Sequence, residues 1–437
     1  MKSVAIIGGG ESGVGAALLA KKSGLDVFLS DNGNIDDKSK VELISKTIPF
    51  EEGGHDLNRL LVADVVVKSP GVPDHAPALR MLKEKGRKVI SEIEFGYLFY
   101  SGLTIGITGS NGKTTTSGLL YHVLHHAGLD VELGGNYGKS FARILSERQP
   151  KYMVLEVSSF QLDDIETFAP HISMLLNITP DHLDRYNYNM DEYAAAKFNI
   201  AAKQTADDYF IYNGDDPEIM SRLSTYKLNV QKIPVTRNQY DSGLRTKDGS
   251  GFYDFSLLGR HNLLNGQCVV EACRILGLSE NQINDGLSSF VNLPHRLEPV
   301  ASFEGVSYIN DSKATNVDSV FYALEAMNTP TIWIAGGTDK GNDYEVLKPL
   351  VREKVKVLIC LGIDNDKLKQ SFEGIVPVIL ETRSVTQAVS LAHNEAEKGD
   401  VVLLSPACAS FDLFKNYMDR GDQFKEAVLS YQKILEI

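Results

Sequence analysis

The run Thr108-Gly109-Ser110-Asn111-Gly112-Lys113-Thr114-Thr115 carries the clearest chemistry in the chain. It follows a strand-like stretch and precedes a helix-forming one, residues 117–127. A glycine-rich turn in that position aims backbone N–H groups at an anion on a helix N-terminus. A lysine closing the turn reaches the outer phosphates of a nucleotide, and the next hydroxyl ligates Mg²⁺. Lys113 and Thr114 occupy those positions here. The strict phosphate-loop pattern also asks for a glycine at the position held by Ile107.

A magnesium nucleotide needs further oxygen ligands. Glu156 ends the run Val154-Leu155-Glu156-Val157, and a carboxylate at the C-terminal end of a parallel strand faces the ligand crevice. Asn177-Ile178-Thr179-Pro180-Asp181-His182-Leu183-Asp184-Arg185 follows another strand, and its His182 can hold a second metal or orient a phosphate. Near the start, Gly8-Gly9-Gly10-Glu11-Ser12-Gly13 fits G-x-G-x-x-G, with Asp31 closing the next strand. Alone, that is a dinucleotide fingerprint with Asp31 on a ribose, but any pyrophosphate fits such a turn. Glu11 within it opposes close approach of an anion.

The C-terminal third offers Asn310-Asp311-Ser312-Lys313-Ala314-Thr315-Asn316, then Gly336-Gly337-Thr338-Asp339-Lys340-Gly341, then Ser405-Pro406-Ala407-Cys408-Ala409-Ser410-Phe411-Asp412. Each sits where a strand ends. Their ammonium groups, hydroxyls and helix-start amides suit an anionic substrate. His122 and His126 share a helix face without an acidic partner in register, so no metal is assigned to them.

These groups must be positioned by strands alternating with helices. Short apolar runs occur at residues 4–7, 63–68, 104–108, 153–157, 172–178, 331–335, 355–361 and 401–405. They are apolar throughout, as strands covered on both faces are, which means βαβ units and mostly parallel sheets. Three strand–glycine–helix starts, at residues 6–8, 105–109 and 333–337, each open a new α/β unit. Three domains are expected: 1–93, Rossmann-like; 94–294, a central P-loop ATPase-like domain whose segment 207–258 forms a small β extension; and 295–437, Rossmann-like, beginning after Pro294.

A length of 437 residues agrees with about three domains. The formal net charge of −13 argues against general nucleic-acid binding, so any anionic ligand must be met by local cations and amides. The four cysteines form no C-x-x-C pair, and a disulfide framework is implausible at this length. The opening run goes straight into a strand ending in glycines, unlike a signal sequence, and no uncharged apolar run approaches the ~18 residues of a membrane span. A soluble, cytoplasmic, monomeric protein is expected.

Residues 108–115, Glu156-Val157-Ser158-Ser159-Phe160-Gln161, residues 177–185, Tyr193-Ala194-Ala195-Ala196-Lys197, His261-Asn262-Leu263-Leu264-Asn265, Pro294-His295-Arg296-Leu297-Glu298 and residues 310–316 resemble, in order, the motifs of the Mur ligases. These are ATP-dependent amide-forming enzymes of peptidoglycan synthesis. Residues 405–412 followed by Phe414-Lys415-Asn416-Tyr417-Met418-Asp419-Arg420-Gly421 are similar to the branch that adds D-glutamate to UDP-N-acetylmuramoyl-L-alanine.

The resemblance implies that the N-terminal turn holds a UDP-sugar, with Ser12 at its diphosphate and Asp31 and Asn32 near uracil. Ser69, Gly71, Asn136 and Ser158 would contact the same substrate. ATP would meet Gly109, Ser110, Asn111, Gly112, Lys113, Thr114, Thr115, Asn262, Asn265, Arg296 and Asp311. Thr114 and Glu156 would hold one Mg²⁺, and His182 and Lys197 a second. A cationic lysine cannot ligate Mg²⁺, so the resemblance implies a CO₂-derived carbamate on Lys197. Lys313, Thr315, Lys340, Ser410 and Tyr417 would form the D-glutamate pocket. The implied catalytic set is Lys113, Glu156, His182 and Lys197, acting through an acyl phosphate, with domain closure on substrate. The alternatives are an L-alanine-adding relative, a folylpolyglutamate synthase, an NAD-dependent oxidoreductase built on the N-terminal turn, and a nucleotide-switch protein.

Overall fold

Val65, Val66 and Val67 show how the apolar runs become strands: all are buried, in a parallel sheet with helices on both faces. The computed structural model describes residues 1–339 and 341–435. They divide into two units, Met1–Phe255 with Leu264–Phe290, and Ser256–Leu263 with residues 291 onward.

The first unit holds two sheets. The N-terminal sheet contains β1 (Ser3–Ile7), β2 (Asp26–Ser30), β3 (Phe50–Glu51), β4 (Val65–Lys68) and β5 (Val89–Ser91), in the order β3-β2-β1-β4-β5, all parallel. The second contains β6 (Leu103–Thr108), β7 (Val131–Gly135), β8 (Tyr152–Glu156), β9 (Ile172–Leu175), β10 (Tyr209–Asn213) and β11 (Gln231–Val235), in the order β11-β10-β9-β6-β8-β7, again all parallel. Chain order reverses at β1 and at β6, and in open α/β sheets such switch points open the ligand crevices.

The expected small β extension at 207–258 divides in two. Its first part adds β10 and β11, with helix Pro217–Leu223 between them, to the edge of the parallel sheet. Its second part holds one isolated antiparallel bridge, Arg245 to Phe252. The stretch 172–178, read as a continuous strand, leaves the ladder after Leu175 and releases Asn177 and Thr179 into the site described below.

Helix Glu92–Tyr97 ties the two sheets together. Glu94 is buried and its carboxylate accepts the backbone N–H groups of Glu166, Thr167 and Phe168. Glu92 is fully buried, and only one of its oxygens is partnered, by the Ala142 N–H. Burial pushes the Glu92 carboxyl up to about 8. The folded chain therefore keeps this proton to a higher pH than the unfolded chain, and the stability so gained is lost as pH rises from the ordinary carboxylate range toward 8. Glu92→Gln, which is always neutral, is expected to gain on wild type with rising pH, by on the order of 1–3 kcal/mol at pH 8. Unfolding profiles that stay parallel from pH 5 to pH 8 would contradict the protonated carboxyl.

The second unit carries one sheet of β12 (Glu298–Phe303), β13 (Val306–Asn310), β14 (Thr331–Ala335), β15 (Val355–Leu361), β16 (Val378–Thr382) and β17 (Val401–Leu404), in the order β12-β13-β17-β14-β15-β16. Only β12 and β13 pair antiparallel. Trp333 on β14 is fully buried and donates to the Ser405 carbonyl, which fixes the start of the loop after β17. Cys268, Cys273, Cys360 and Cys408 are all buried and free. No helix among the described residues is long and apolar enough to cross a membrane.

Candidate active site

β6 delivers residues 108–112 to the N-terminus of helix Lys113–His126. Gly112 adopts φ +84, and a Cβ there would also stand 2.8 Å from Asn265 Oδ1, so the position demands glycine. Asn265 thus lies against the turn. The Lys113 ammonium folds across the turn and donates to the carbonyls of Gly109 (2.7 Å) and Ser110 (2.9 Å). Thr114 and Thr115 are buried in the first helical turn.

The segment after β9 braces the turn. The Asn111 N–H donates to Asn177 Oδ1 at 2.8 Å, and Asn177 Nδ2 returns a bond to the Asn111 carbonyl at 3.1 Å. The Ser110 hydroxyl donates to the Thr179 carbonyl at 2.8 Å and accepts the Thr179 N–H at 2.9 Å. It also lies 3.0 Å from the Tyr193 hydroxyl. Ser110 and Asn111 are therefore anchored largely through side chains. Asn177 and Thr179 belong to the segment 177–185, in which His182 alone has a chemical role readable from local sequence.

Glu156 is buried at the end of β8, in register with Ile107. Its Oε1 accepts from Asn136 Nδ2 at 2.9 Å, and its Oε2 is buried without a protein partner. Ser158 is buried and its N–H donates to Gln161 Oε1, capping the next short helix. Among the described residues no three His, Cys, Asp or Glu side chains gather into a metal cage. One orphaned carboxylate oxygen beside a phosphate turn suits a hard cation that takes most of its oxygens from a nucleotide.

Lys197 is fully buried, with Nζ 4.4 Å from the Tyr193 ring centroid and no hydrogen-bond acceptor among the described residues. Burial, reinforced by the positive charge of Lys113, drives its amine well below the ordinary lysine range. Asp163 accepts from the Tyr186 hydroxyl at 2.9 Å, and burial raises its carboxyl to about 6. His182 caps a short 3₁₀ turn with φ +52; its ring is about half exposed, 3.7 Å from Asp181 and edge-on to Phe160. No hydrogen bond joins His182 to Lys197 among the described residues.

A cleft of about 760 Å³ opens at the N-terminal glycine turn, and its walls include Ser12, Asp31, Asn32, Ser69 and Gly71. His55 and His75 also line it and carry no sequence signal. Asp31 already accepts the Gly9 and Gly33 N–H groups, so it braces the turn as well as lining the cleft. Arg185, three residues after His182, donates to the Pro70 carbonyl at 3.0 Å and stacks over Phe160.

In the second unit, Asp311 gathers three of the expected stretches. Its carboxylate accepts from the Ser405 hydroxyl at 2.9 Å and from the Leu297 N–H at 3.2 Å. Burial raises this carboxyl to about 7. The turn it holds is strained: His295 (φ +66) and Leu297 (φ +42) both sit in the left-handed region and flank Arg296. Lys313 Nζ stands 3.8 Å over the Tyr417 ring, while Ser410 is buried and Thr315 half-buried. Asn262 donates to the Leu258 carbonyl at 2.7 Å. Lys340 lies outside the described residues.

Arg420 falls in the stretch 414–421, and local sequence marks out no role for it. It is fully buried and donates to the Ser312 hydroxyl and carbonyl and to the Cys408 carbonyl, cross-linking the loops after β13 and β17. Only the fold brings these loops around it.

Three family models match the chain: "MurD N-terminal domain" over residues 3–77, "Mur ligase middle domain" over 107–273, and "Mur ligase, glutamate ligase domain" over 295–408. A protein of Christiangramia forsetii named UDP-N-acetylmuramoylalanine--D-glutamate ligase is 50% identical over 440 residues, covering 98% of this chain and 99% of its own. One of the same name from Cytophaga hutchinsonii is 45% identical over 444 residues, with coverage of 98% and 99%. Among solved structures, a pseudomurein peptide ligase type C from Methanothermus fervidus aligns with TM-score 0.62 at 20% identity, covering 99% of this chain and 100% of that one. The MurF ligase of Thermotoga maritima in complex with ADP aligns with TM-score 0.62 at 15% identity, covering 93% and 95%. At those identities the structures show a shared three-domain α/β fold, and with the close relatives they establish that this chain belongs to the Mur ligase family.

Proposed function

We propose that this chain joins D-glutamate to the carboxylate of UDP-N-acetylmuramoyl-L-alanine at the expense of ATP, a step of peptidoglycan synthesis. The observation that carries the reading is identity of 45–50% across nearly the whole chain to ligases named for that reaction. A sugar-nucleotide cleft and a phosphate turn within the first unit support it.

The substrate carboxylate attacks the γ-phosphorus of ATP, giving an acyl phosphate and ADP. The free amine of D-glutamate then attacks the acyl carbon and phosphate leaves. Positioning and charge neutralisation supply most of such a catalyst's effect, and good alignment alone is worth about 7–11 kcal/mol. Ser110, Asn111, Gly112 and Thr115 cradle the phosphates through the turn, and Lys113 exchanges its two carbonyl partners for the transferring phosphoryl group. Asn265 lies against the turn, and by resemblance Arg296, Asp311 and Asn262 would also serve nucleotide binding. Thr114 and Glu156 would hold one Mg²⁺, and His182 with Lys197 a second. Bound there, magnesium neutralises phosphate charge.

Lys197 is suited to modification rather than to ion pairing. A neutral amine adds to CO₂, forms an N–C bond and releases one proton, leaving an anionic carbamate. The burial that depresses this amine supplies the neutral form at physiological pH. The sugar nucleotide would take the N-terminal cleft with Ser12, Asn32, Ser69 and Gly71, and reach Asn136 and Ser158. D-glutamate would meet Lys313, Thr315, Lys340, Ser410 and Tyr417.

Phosphate release measured with UDP-N-acetylmuramoyl-L-alanine, ATP and Mg²⁺ against a panel of amino acids tests the reading. Release that depends on D-glutamate is expected. Release with L-alanine or a diamino acid but not with D-glutamate would overturn it.

A further inference from the structure

Glu11 is the first residue of helix Glu11–Lys22, on the lip of the glycine turn and in the wall of the N-terminal cleft. A carboxylate at that point would ordinarily settle on the turn's own amides, where the helix dipole favours negative charge, and would repel an incoming anion. Here it does not settle on those amides. Its Oε1 is held 2.7 Å from Arg143 Nε and accepts the Ser140 N–H at 3.0 Å. Arg143 is itself locked in place, because its Nη1 lies 2.9 Å from both carboxylate oxygens of Glu42. Its side chain is only 14% exposed, against 43% for Glu11, so the clamp works from inside on a group that otherwise faces the cleft.

The backbone enforces the arrangement. A Cβ on Gly15 would stand 2.1 Å from the Ser140 hydroxyl and 2.9 Å from the Arg143 backbone nitrogen, so helix Phe141–Glu147 seats its first turn directly on helix Glu11–Lys22. Gly15 lies outside the G-x-G-x-x-G pattern, and this contact gives it a purpose of its own.

We propose that Arg143 is a positioning residue for the sugar-nucleotide cleft: it draws the Glu11 carboxylate off the glycine turn and leaves the turn's amides open to a diphosphate. The inference rests on the assignment of this cleft to a uridine nucleotide. Its test is direct titration of UDP and of UDP-N-acetylmuramoyl-L-alanine into wild type, Arg143→Met, Glu11→Gln and the double variant, with KM and kcat determined alongside. Arg143→Met is expected to weaken both ligands by about tenfold, the scale of one uncompensated charge a few ångströms from an anion, and to raise KM without an equal fall in kcat. Glu11→Gln is expected to bind at least as tightly as wild type, and the double variant to recover to within about threefold of it, since the repelling charge is gone. A double variant as weak as Arg143→Met would mean that the arginine only packs. A Glu11→Gln protein that binds more weakly would mean that the carboxylate itself holds the ligand; either result overturns the proposal. Because Glu11→Gln leaves Arg143 in place, weaker binding by that variant still overturns the proposal if Arg143→Met does not fold. Wild type that takes up neither ligand would remove the cleft assignment and this inference with it, whereas wild-type binding left unchanged in Arg143→Met removes the inference alone.

Discussion

Lys197→Ala is expected to lose about 10²–10³-fold in turnover, the scale of losing one fixed electrostatic contact to a transition state, and formate or acetate is expected to restore part of it. The physical argument begins with burial. A lysine buried this deeply, with no hydrogen-bond acceptor among the described residues, cannot hold its charge cheaply, and the cationic Lys113 adds to the penalty. An amine kept neutral in this way is a nucleophile toward CO₂ and useless as a counter-ion. The space it vacates on mutation to alanine can take a small carboxylate, which supplies the oxygens of the proposed carbamate. Lys197→Arg, which stays protonated, is expected to be as inactive as the alanine variant and to gain nothing from formate. Full activity in either variant would show that the proposed modification of Lys197 is not needed.

Lys113→Met is expected to cost more, about 10³-fold or beyond, the range seen when a cation is removed from a phosphoryl-transfer site. The loss should fall on kcat more than on the KM for ATP. The turn's backbone remains anchored without this side chain, because Asn177 and Thr179 hold Ser110 and Asn111 from the other side. Charge on the transferring group is then left unopposed while the nucleotide can still bind. A variant that only raises KM would place Lys113 in ground-state binding instead. Removing the Lys113 charge should also let the Lys197 amine rise toward its ordinary range, because Lys113 is the next largest cause of its depression after burial.

The elements that carry local signals are legible in the sequence. The phosphate turn, the N-terminal glycine turn and the apolar strands leading into them appear where their patterns place them, because turn geometry and burial on two faces are written in adjacent residues. What escapes depends on distant partners. Glu11 reads as an obstacle to an anion until Arg143, far along the chain, is folded against it. Asp31 reads as a ribose ligand, yet it also braces its own turn through Gly9 and Gly33. The segment 207–258 reads as a small β extension and not as two more strands of the parallel sheet, because β11, at the sheet edge, lacks the continuous apolar run of a central strand. Arg420 has no local signature, since its partners are carbonyls and a hydroxyl from two other loops. Composition excludes partner classes but locates nothing.

The route through an acyl phosphate is tested most directly by supplying UDP-N-acetylmuramoyl-L-alanine with heavy oxygen in its alanyl carboxylate and weighing the inorganic phosphate released during amide formation. If the carboxylate attacks the γ-phosphorus, one heavy oxygen passes into each phosphate released. Phosphate carrying only ordinary oxygen, from an enzyme that still makes the amide, would contradict it.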